Sequence, residues 1–415
     1  MSDLRELFLF IESNTSGTGE LFAHTAYELG YAPVLVGEDP QKYAYANKPW
    51  LQLETCDTYN RIDLERLAKR LGQTARIAGV FSSSEYFIAK AAALAAALGL
   101  PAADAAKIEE CRNKAIQRQT VSTLGIDNLH YVVARTSTDA AEWAASMAHP
   151  VVVKPTRGSG SCDVKLCKTP SEVRSHAKHL LSTSPEAPFL VEEFSPGQEY
   201  SVELFDGEVC GVVGKHLGSQ PHFVETGHDF PARISAELSD QLGQFAQDCA
   251  AAMGITWGPA HVEVRSDGAQ IHLVEVNPRL AGGFIPLMIR AATGLNLIEN
   301  SILKAAGRNF SCFKPKSGSA ALRFIVLREN GVLAAVTGLD AAKEFESIVS
   351  AQVYLKTPAN VQQHHDFRDR IGHLLAVDPD QGTAIADVEA ATSRVSLCYQ
   401  NGTDAPVRRS EGPLQ

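Results

Sequence analysis

Glu263 and Glu275 stand on either side of the turn Ser266-Asp267-Gly268, each in a run with strand character. A period of two puts Glu263 on one face with His261 and Arg265, and Leu273, Glu275, Asn277 and Arg279 together on one side of the next run. A hairpin centred near Ala269 places the two carboxylates directly opposite each other. Like charges destabilise that position unless something lies between them. A divalent cation meets the requirement, because two carboxylates and the carboxamide oxygen of Asn277 form a hard, all-oxygen set suited to Mg2+ held against phosphate. The rest of the chain is then expected to bind the phosphate.

The N-terminal stretch alternates short apolar runs with helical spacing. Leu7–Ile11, Pro33–Val36 and Ile77–Phe81 read as strands; Glu20–Leu29, Asp63–Leu71 and the alanine-rich Glu85–Leu98 read as helices. Residues 1–105 thus form a small doubly wound α/β unit. Gly17 and Gly19 follow the first strand without a third glycine, which leaves two readings: a tight turn before a helix, or a cradle for a substrate anion at the helix N-terminus. Ser83 or Ser84 is a natural cap for the long helix. Glu85 lies just past a strand end, where open α/β sheets bind ligands, and is a candidate partner for an amino group.

Cys111–Leu124 reads as a helix, and Val151-Val152-Val153 then runs into Lys154, a cation that apolar neighbours do not tolerate without an anion. Arg157-Gly158-Ser159-Gly160-Ser161 follows, and an extended pattern resumes at Val164. This strand–glycine loop–strand lacks the GK[ST]-helix of a P-loop, so it is expected to cover phosphates as a flap whose glycines allow close approach. Phe189–Phe194 and Gln198–Leu204 read as further strands. The backbone between them can offer an amide and a carbonyl to a purine edge, and Glu199 can take two ribose hydroxyls. Val224–Pro231, with His228, reads as a loop before the helix Ala236–Met253; helices are also expected at Phe284–Ala292 and Leu295–Ala306. Residues 319–400 should be a small mixed, β-rich cap, and those from Asn401 onward a frayed tail.

A chain of 415 residues is too long for one compact core. Its net charge of −10 gives no positive field for nucleic acid or an acidic membrane, so small molecules are the expected partners. No apolar run reaches membrane-span length and the N-terminus lacks signal-peptide features, which points to the cytosol. Eight cysteines include no CxxC pair and are expected to be buried or free thiols without a zinc or catalytic role.

Lys114, Lys154, the Gly158–Ser161 flap, Glu192 to Glu199, Glu263, Glu275, Asn277 and Arg279 occur in an order and spacing that resemble the ATP-grasp superfamily of carboxylate-amine ligases, over roughly residues 100–310. The N-terminal unit and the Gly318–Leu339 segment further resemble the L-amino acid ligase branch. The resemblance implies an α/β ATP-grasp fold with an N-terminal doubly wound, Rossmann-like domain (1–105), a small subdomain with the flap (106–185), a large subdomain with the metal site (186–317), a β-rich C-terminal domain (318–400) and a tail (401–415). It also implies that Lys114 and Lys154 hold ATP phosphates beneath the flap from Arg157 through Gly158, Ser159 and Gly160 to Ser161. Glu192, Glu193 and the backbone near Phe194 would face adenine and Glu199 the ribose. Glu263, Glu275 and Asn277 would ligate two Mg2+ ions, with Mn2+ able to substitute.

In such a family a carboxylate attacks the γ-phosphate to form an acyl phosphate, and an amine then displaces phosphate. Arg279 would stabilise the developing charge, His228 would orient the acyl phosphate or accept the amine's proton, and Glu85, Gly282 and Gly283 would border the acid and amine substrates. Gly283 departs from a position that is bulky in some dipeptide-forming members, which leaves the substrates open. A homodimer is a family expectation. Two alternatives stay open: a bicarbonate-activating carboxylase or purine-pathway enzyme of the same superfamily, and a non-catalytic nucleotide-binding protein.

Overall fold

The computed structural model describes residues 6–14, 18–147, 149–310, 318–400 and 405–406. Gly17 of the N-terminal turn, Cys312 and all of the 401–415 tail except the backbone of Ala405–Pro406 lie outside these residues. The seven described cysteines are free thiols, and among the described residues no helix is long and apolar enough to cross a membrane.

The N-terminal strands form a parallel sheet in the order Gln52–Thr55, Ala32–Gly37, Leu7–Ile11, Ile77–Phe81. Alternation in the first strand explains its double covering. Phe8 and Phe10 enter one core with Phe22, while Leu7, Leu9 and Ile11 enter another with Leu64 and Leu67. The strand Gln52–Thr55 escaped the pattern reading because it is a short edge strand with exposed ends. Ser83 does not cap the following helix, which starts only at Ile88; its hydroxyl instead accepts the Asn14 amide at 3.0 Å and meets Ser13 Oγ at 3.1 Å.

A second, antiparallel sheet carries the flap, in the order Tyr131–Ala134, Phe189–Glu193, Val151–Pro155, Lys165–Cys167. The strand Phe189–Glu193 sits inside this sheet, so the sheet extends beyond the boundary drawn at residue 185. The helices Ser137–Ser146 and Pro170–Thr183 bury Ala140, Ala144, Val173 and Ala177 against it.

The third sheet has eight antiparallel strands: Ile271–Asn277, Pro259–Ser266, Gln198–Phe205, Glu208–Leu217, Glu225–Phe230, Ser319–Val326, Arg370–Asp378, Ile348–Val353. One expectation is corrected here. Residues 225–230, read as a loop, are a central strand: a glycine and several polar residues hid its extended character, and its partners on both sides are distant in sequence. The C-terminal segment is mixed and β-rich as expected: three of its strands extend this sheet, while Ala359–Val361, Gly331–Thr337, Ser396–Tyr399 and Ala405–Pro406 form a four-stranded sheet of their own, and the helix Gln381–Arg394 buries Ala384, Val388 and Ala391 in the segment's core.

Candidate active site

The hairpin Pro259–Ser266/Ile271–Asn277 has the expected pairing, with Glu263 opposite Glu275 and His261 opposite Asn277. A bulge follows immediately, and Val264 pairs with Leu273. The extra residue, Val274, moves Leu273 off the carboxylate face and into the apolar core with Val262, Val264 and Val276. That corrects the plain period-two reading.

Two lysines answer the like charges. Lys114 Nζ lies 2.6 Å from Glu275 Oε2, while Lys215 Nζ lies 2.9 Å from Glu263 Oε1. Asn277 Nδ2 donates to Glu275 Oε1 at 2.9 Å. Lys114 begins the helix Lys114–Thr123, three residues later than expected, because a separate helix ends at Cys111 and the Asn113 side chain caps the new one. Its amide donates to Thr156 O and its ammonium to Gly158 O at 2.7 Å, so one residue holds the leading side of the flap on either side of Arg157. Lys215 is buried among Glu199, Glu225 and Glu263, at 2.8, 2.8 and 2.9 Å. Burial opposes its charge, but the three carboxylates outweigh it and raise the ammonium well above its usual value. Burial likewise opposes charge on His261, yet Glu203 at 2.7 Å and Glu263 at 2.9 Å raise its imidazole to about 10.

A cleft of about 780 Å3, solvent at its mouth included, opens above these groups. It brings together Lys114, Lys154, Arg157 to Ser161, Glu192, Glu193, Phe194, Glu199, Glu263 and Glu275. Lys154 is buried and its ammonium pairs with Glu192, which also accepts from Arg118 at 3.1 Å. Glu193 meets His130 at 3.0 Å, and Glu199 meets Arg265 at 3.1 Å. The Phe194 amide donates to Pro150 O at 2.9 Å and its ring lies 5.0 Å from the Arg265 guanidinium. That bond occupies the Phe194 amide, and Phe194 and Ser195 both line the cleft. In the flap, Gly158 at φ +129° and Gly160 at φ +69° occupy backbone space that suits glycine. Arg157 pairs outward with Glu109 at 2.6 Å, and Ser159 lines the cleft.

Arg279 is displaced from this cleft toward the N-terminal sheet. Its Nη2 and Nε donate to Glu85 Oε2 at 2.8 and 3.2 Å, and the pair holds the Glu85 carboxyl below its usual range in spite of burial. The chain then passes Gly282, with open space where a Cβ would go, and Gly283 at φ +58°, where a Cβ would lie 2.7 Å from His228 Nε2. His228 is fully buried, and neither ring nitrogen has a hydrogen-bond partner among the described residues. Burial lowers it to about 3, with Glu225 Oε2 3.7 Å away pulling the other way.

Sequence reasoning passed over Lys215 and Glu225 as site residues. Lys215 carried the same signal as Lys154, a lysine within an apolar strand. Glu225 was hidden by a bulge: Leu217 pairs with Glu225 but His216 with Gly227, so Thr226 is extra and Glu225 joins His228 on one face.

Comparison with known proteins identifies two domains in the chain. Residues 147–286 match an ATP-grasp domain, and residues 323–400 match the L-amino acid ligase C-terminal domain 2. The uncharacterized protein y4rH of Sinorhizobium fredii is 32% identical over 417 residues, covering 99% of this chain and 87% of that protein. Carnosine synthase 1 of Gallus gallus is 29% identical over 180 residues, 40% of this chain but only 19% of that enzyme. The fold is similar to that of an L-amino acid ligase from Bacillus licheniformis, with a TM-score of 0.80 and 19% identity over 96% of this chain and 100% of that one. With both domains in their expected order around the cleft, the chain belongs to the ATP-grasp carboxylate-amine ligases and resembles their L-amino acid ligase branch.

Proposed function

We propose that the protein activates the carboxylate of an amino acid or small acid as an acyl phosphate and joins it to the amine of an amino acid, releasing ADP and phosphate. The observation that carries this reading is the convergence of Lys114, Lys154, the glycine flap, Glu263 and Glu275 on one cleft. Phosphoryl transfer needs positioning and charge neutralisation more than covalent help, and this arrangement supplies both.

The donor set fits Mg2+. Glu263, Glu275 and Asn277 offer oxygen only, and each carboxylate already balances a cation, so Mg2+ would take over from an ammonium rather than enter a neutral site. Among the described residues no three His, Cys, Asp or Glu side chains form a ready-made cage, so phosphate oxygens and water would complete the shell. When bound, Mg2+ neutralises phosphate charge. Lys114 would exchange Glu275 for phosphate oxygen while still holding Gly158 O, which links phosphate binding to flap position.

The acid's carboxylate attacks the γ-phosphorus and ADP leaves. The amine, as its neutral form, then attacks the acyl carbon, and the tetrahedral intermediate expels phosphate, which carries away the proton the nitrogen loses. Arg279, held by Glu85 on one side, offers its remaining N–H groups to the negative oxygens, and Glu85 can exchange Arg279 for a substrate ammonium. His228 is a weak proton acceptor with its ring lowered to about 3, so its role narrows to orienting a substrate group beside Gly283 by hydrogen bonding.

A matrix of acids and amines assayed for ADP and phosphate, with mass spectrometry of products, tests the reading. ADP release dependent on both partners supports it; AMP formation overturns it. Stimulation by bicarbonate alone would favour the carboxylase alternative, against which the C-terminal match at residues 323–400 stands.

A further inference from the structure

The flap is gripped at its tip by the C-terminal domain. The Phe367 amide donates to Gly160 O at 3.2 Å, and the Phe367 ring lies so close over Gly160 that a Cβ there would collide with it. Next to it, Cys162 Sγ donates to the buried carboxylate of Asp366 at 3.5 Å. The loop behind these contacts is firmly built. Asp369, also buried, accepts the His364 and His365 amides at 2.7 and 2.8 Å, and the His365 ring stacks on His222 with centroids 4.3 Å apart and planes at 6°. Phe367 is nonetheless 42% exposed, an apolar ring held outside its own domain's core and against the flap.

The other end of the same loop reaches the substrate side. Arg370 Nη1 donates to Glu225 Oε2 at 2.8 Å, and its guanidinium sits 4.5 Å from the Phe324 ring centroid. Glu225 in turn touches Lys215, which holds Glu199 and Glu263. One short loop therefore contacts the flap at Gly160 and the buried charge network at Glu225.

We propose that residues 364–370 form a catch: Asp366 and Phe367 are positioning residues that hold the glycine flap closed over the nucleotide, and Arg370 anchors the catch to Glu225. This rests on the reading of the flap as a nucleotide cover. A glycine-rich flap has high conformational entropy and few contacts of its own, so its closed fraction depends on what it docks against. Apparent nucleotide affinity falls in proportion to that fraction.

Hydrogen exchange of the 158–162 amides, with and without MgADP, tests the catch in the wild type, Phe367→Ala, Phe367→Leu and Arg370→Ala, alongside steady-state kinetics. MgADP slows flap exchange in the wild type. In Phe367→Ala that protection drops, and KM for ATP rises about tenfold while kcat at saturating ATP changes less than twofold; Phe367→Leu restores most of both. Because Phe367 lies outside the core, the melting temperature stays close to that of the wild type. Arg370→Ala, which does not touch the flap, also reduces flap protection. Unchanged protection and KM in Phe367→Ala would overturn the catch, and unchanged protection in Arg370→Ala would overturn its anchoring. If MgADP gives the wild-type flap no protection, the nucleotide-cover reading falls first and the catch with it.

Discussion

Lys215 Nζ lies 2.9 Å from Glu263 Oε1, so one of the two facing glutamates already has a fixed, buried cation as its partner. Removing one member of a buried charge cluster strands the others, at a cost of roughly 3–5 kcal/mol. Lys215→Met should therefore lower the unfolding midpoint by several degrees. Millimolar Mg2+ should restore part of the loss, because a dication can replace the missing ammonium beside Glu263. Thermal unfolding with and without Mg2+ measures this, and identical losses in the two conditions would contradict it.

Glu275 holds both Lys114 and Asn277. Glu275→Ala should reduce ADP release about a hundredfold at fixed Mg2+, equivalent to roughly 3 kcal/mol of transition-state stabilisation. Raising Mg2+ should recover some of it. Full activity at saturating Mg2+ would remove Glu275 from the metal set.

His228→Leu separates function from stability. The ring's two nitrogens have no partner among the described residues, so the substitution removes buried polar atoms without breaking a hydrogen bond. Stability should stay within about 1 kcal/mol or rise, while amide formation falls and MgADP affinity holds. A calorimetric titration, a denaturant curve and product analysis together decide the matter; a large stability loss would contradict the unpartnered ring.

Asp127 accepts hydrogen bonds from Arg118, His272 and the amides of Leu129 and Leu273. Burial opposes its charge, but these partners hold its carboxyl at about 2 instead of the usual 3.8. A carboxyl depressed by folding adds stability above its unfolded value and loses it as pH falls toward its folded value. Its contribution, about 2 kcal/mol, should be complete above about pH 5 and gone below about pH 2. The stability gap between wild type and Asp127→Asn should accordingly narrow across that window in denaturant titrations. A gap independent of pH would refute the assignment.

The hairpin and the flap were legible because each is local, and three of the four N-terminal strands because each is an apolar run buried on both faces. Glu263 and Glu275 meet through a short turn, and Lys154 sits at the end of a buried strand next to its glycine loop. What escaped depends on long-range pairing. His228 and Glu225 lie on a strand whose neighbours are Lys215 on one side and Leu322 on the other, and a single bulge decides which side chains share a face. Period-two reading has no signal for an inserted residue, which is why it also misplaced Leu273.

The strand Glu225–Phe230 pairs with Glu208–Leu217 on one edge and with Ser319–Val326 on the other. A chimera made by grafting a relative's last hundred residues onto this chain would replace half of that strand's backbone partners. Arg323, which reaches across to Asp229 and to the His228 carbonyl, would go with them. The C-terminal domain thus shares a ladder with the strand that carries His228. Breeding new substrate preferences by domain exchange would disturb the placement of His228 at the same cut, whereas recombination through the separately sheeted flap subdomain leaves that ladder whole.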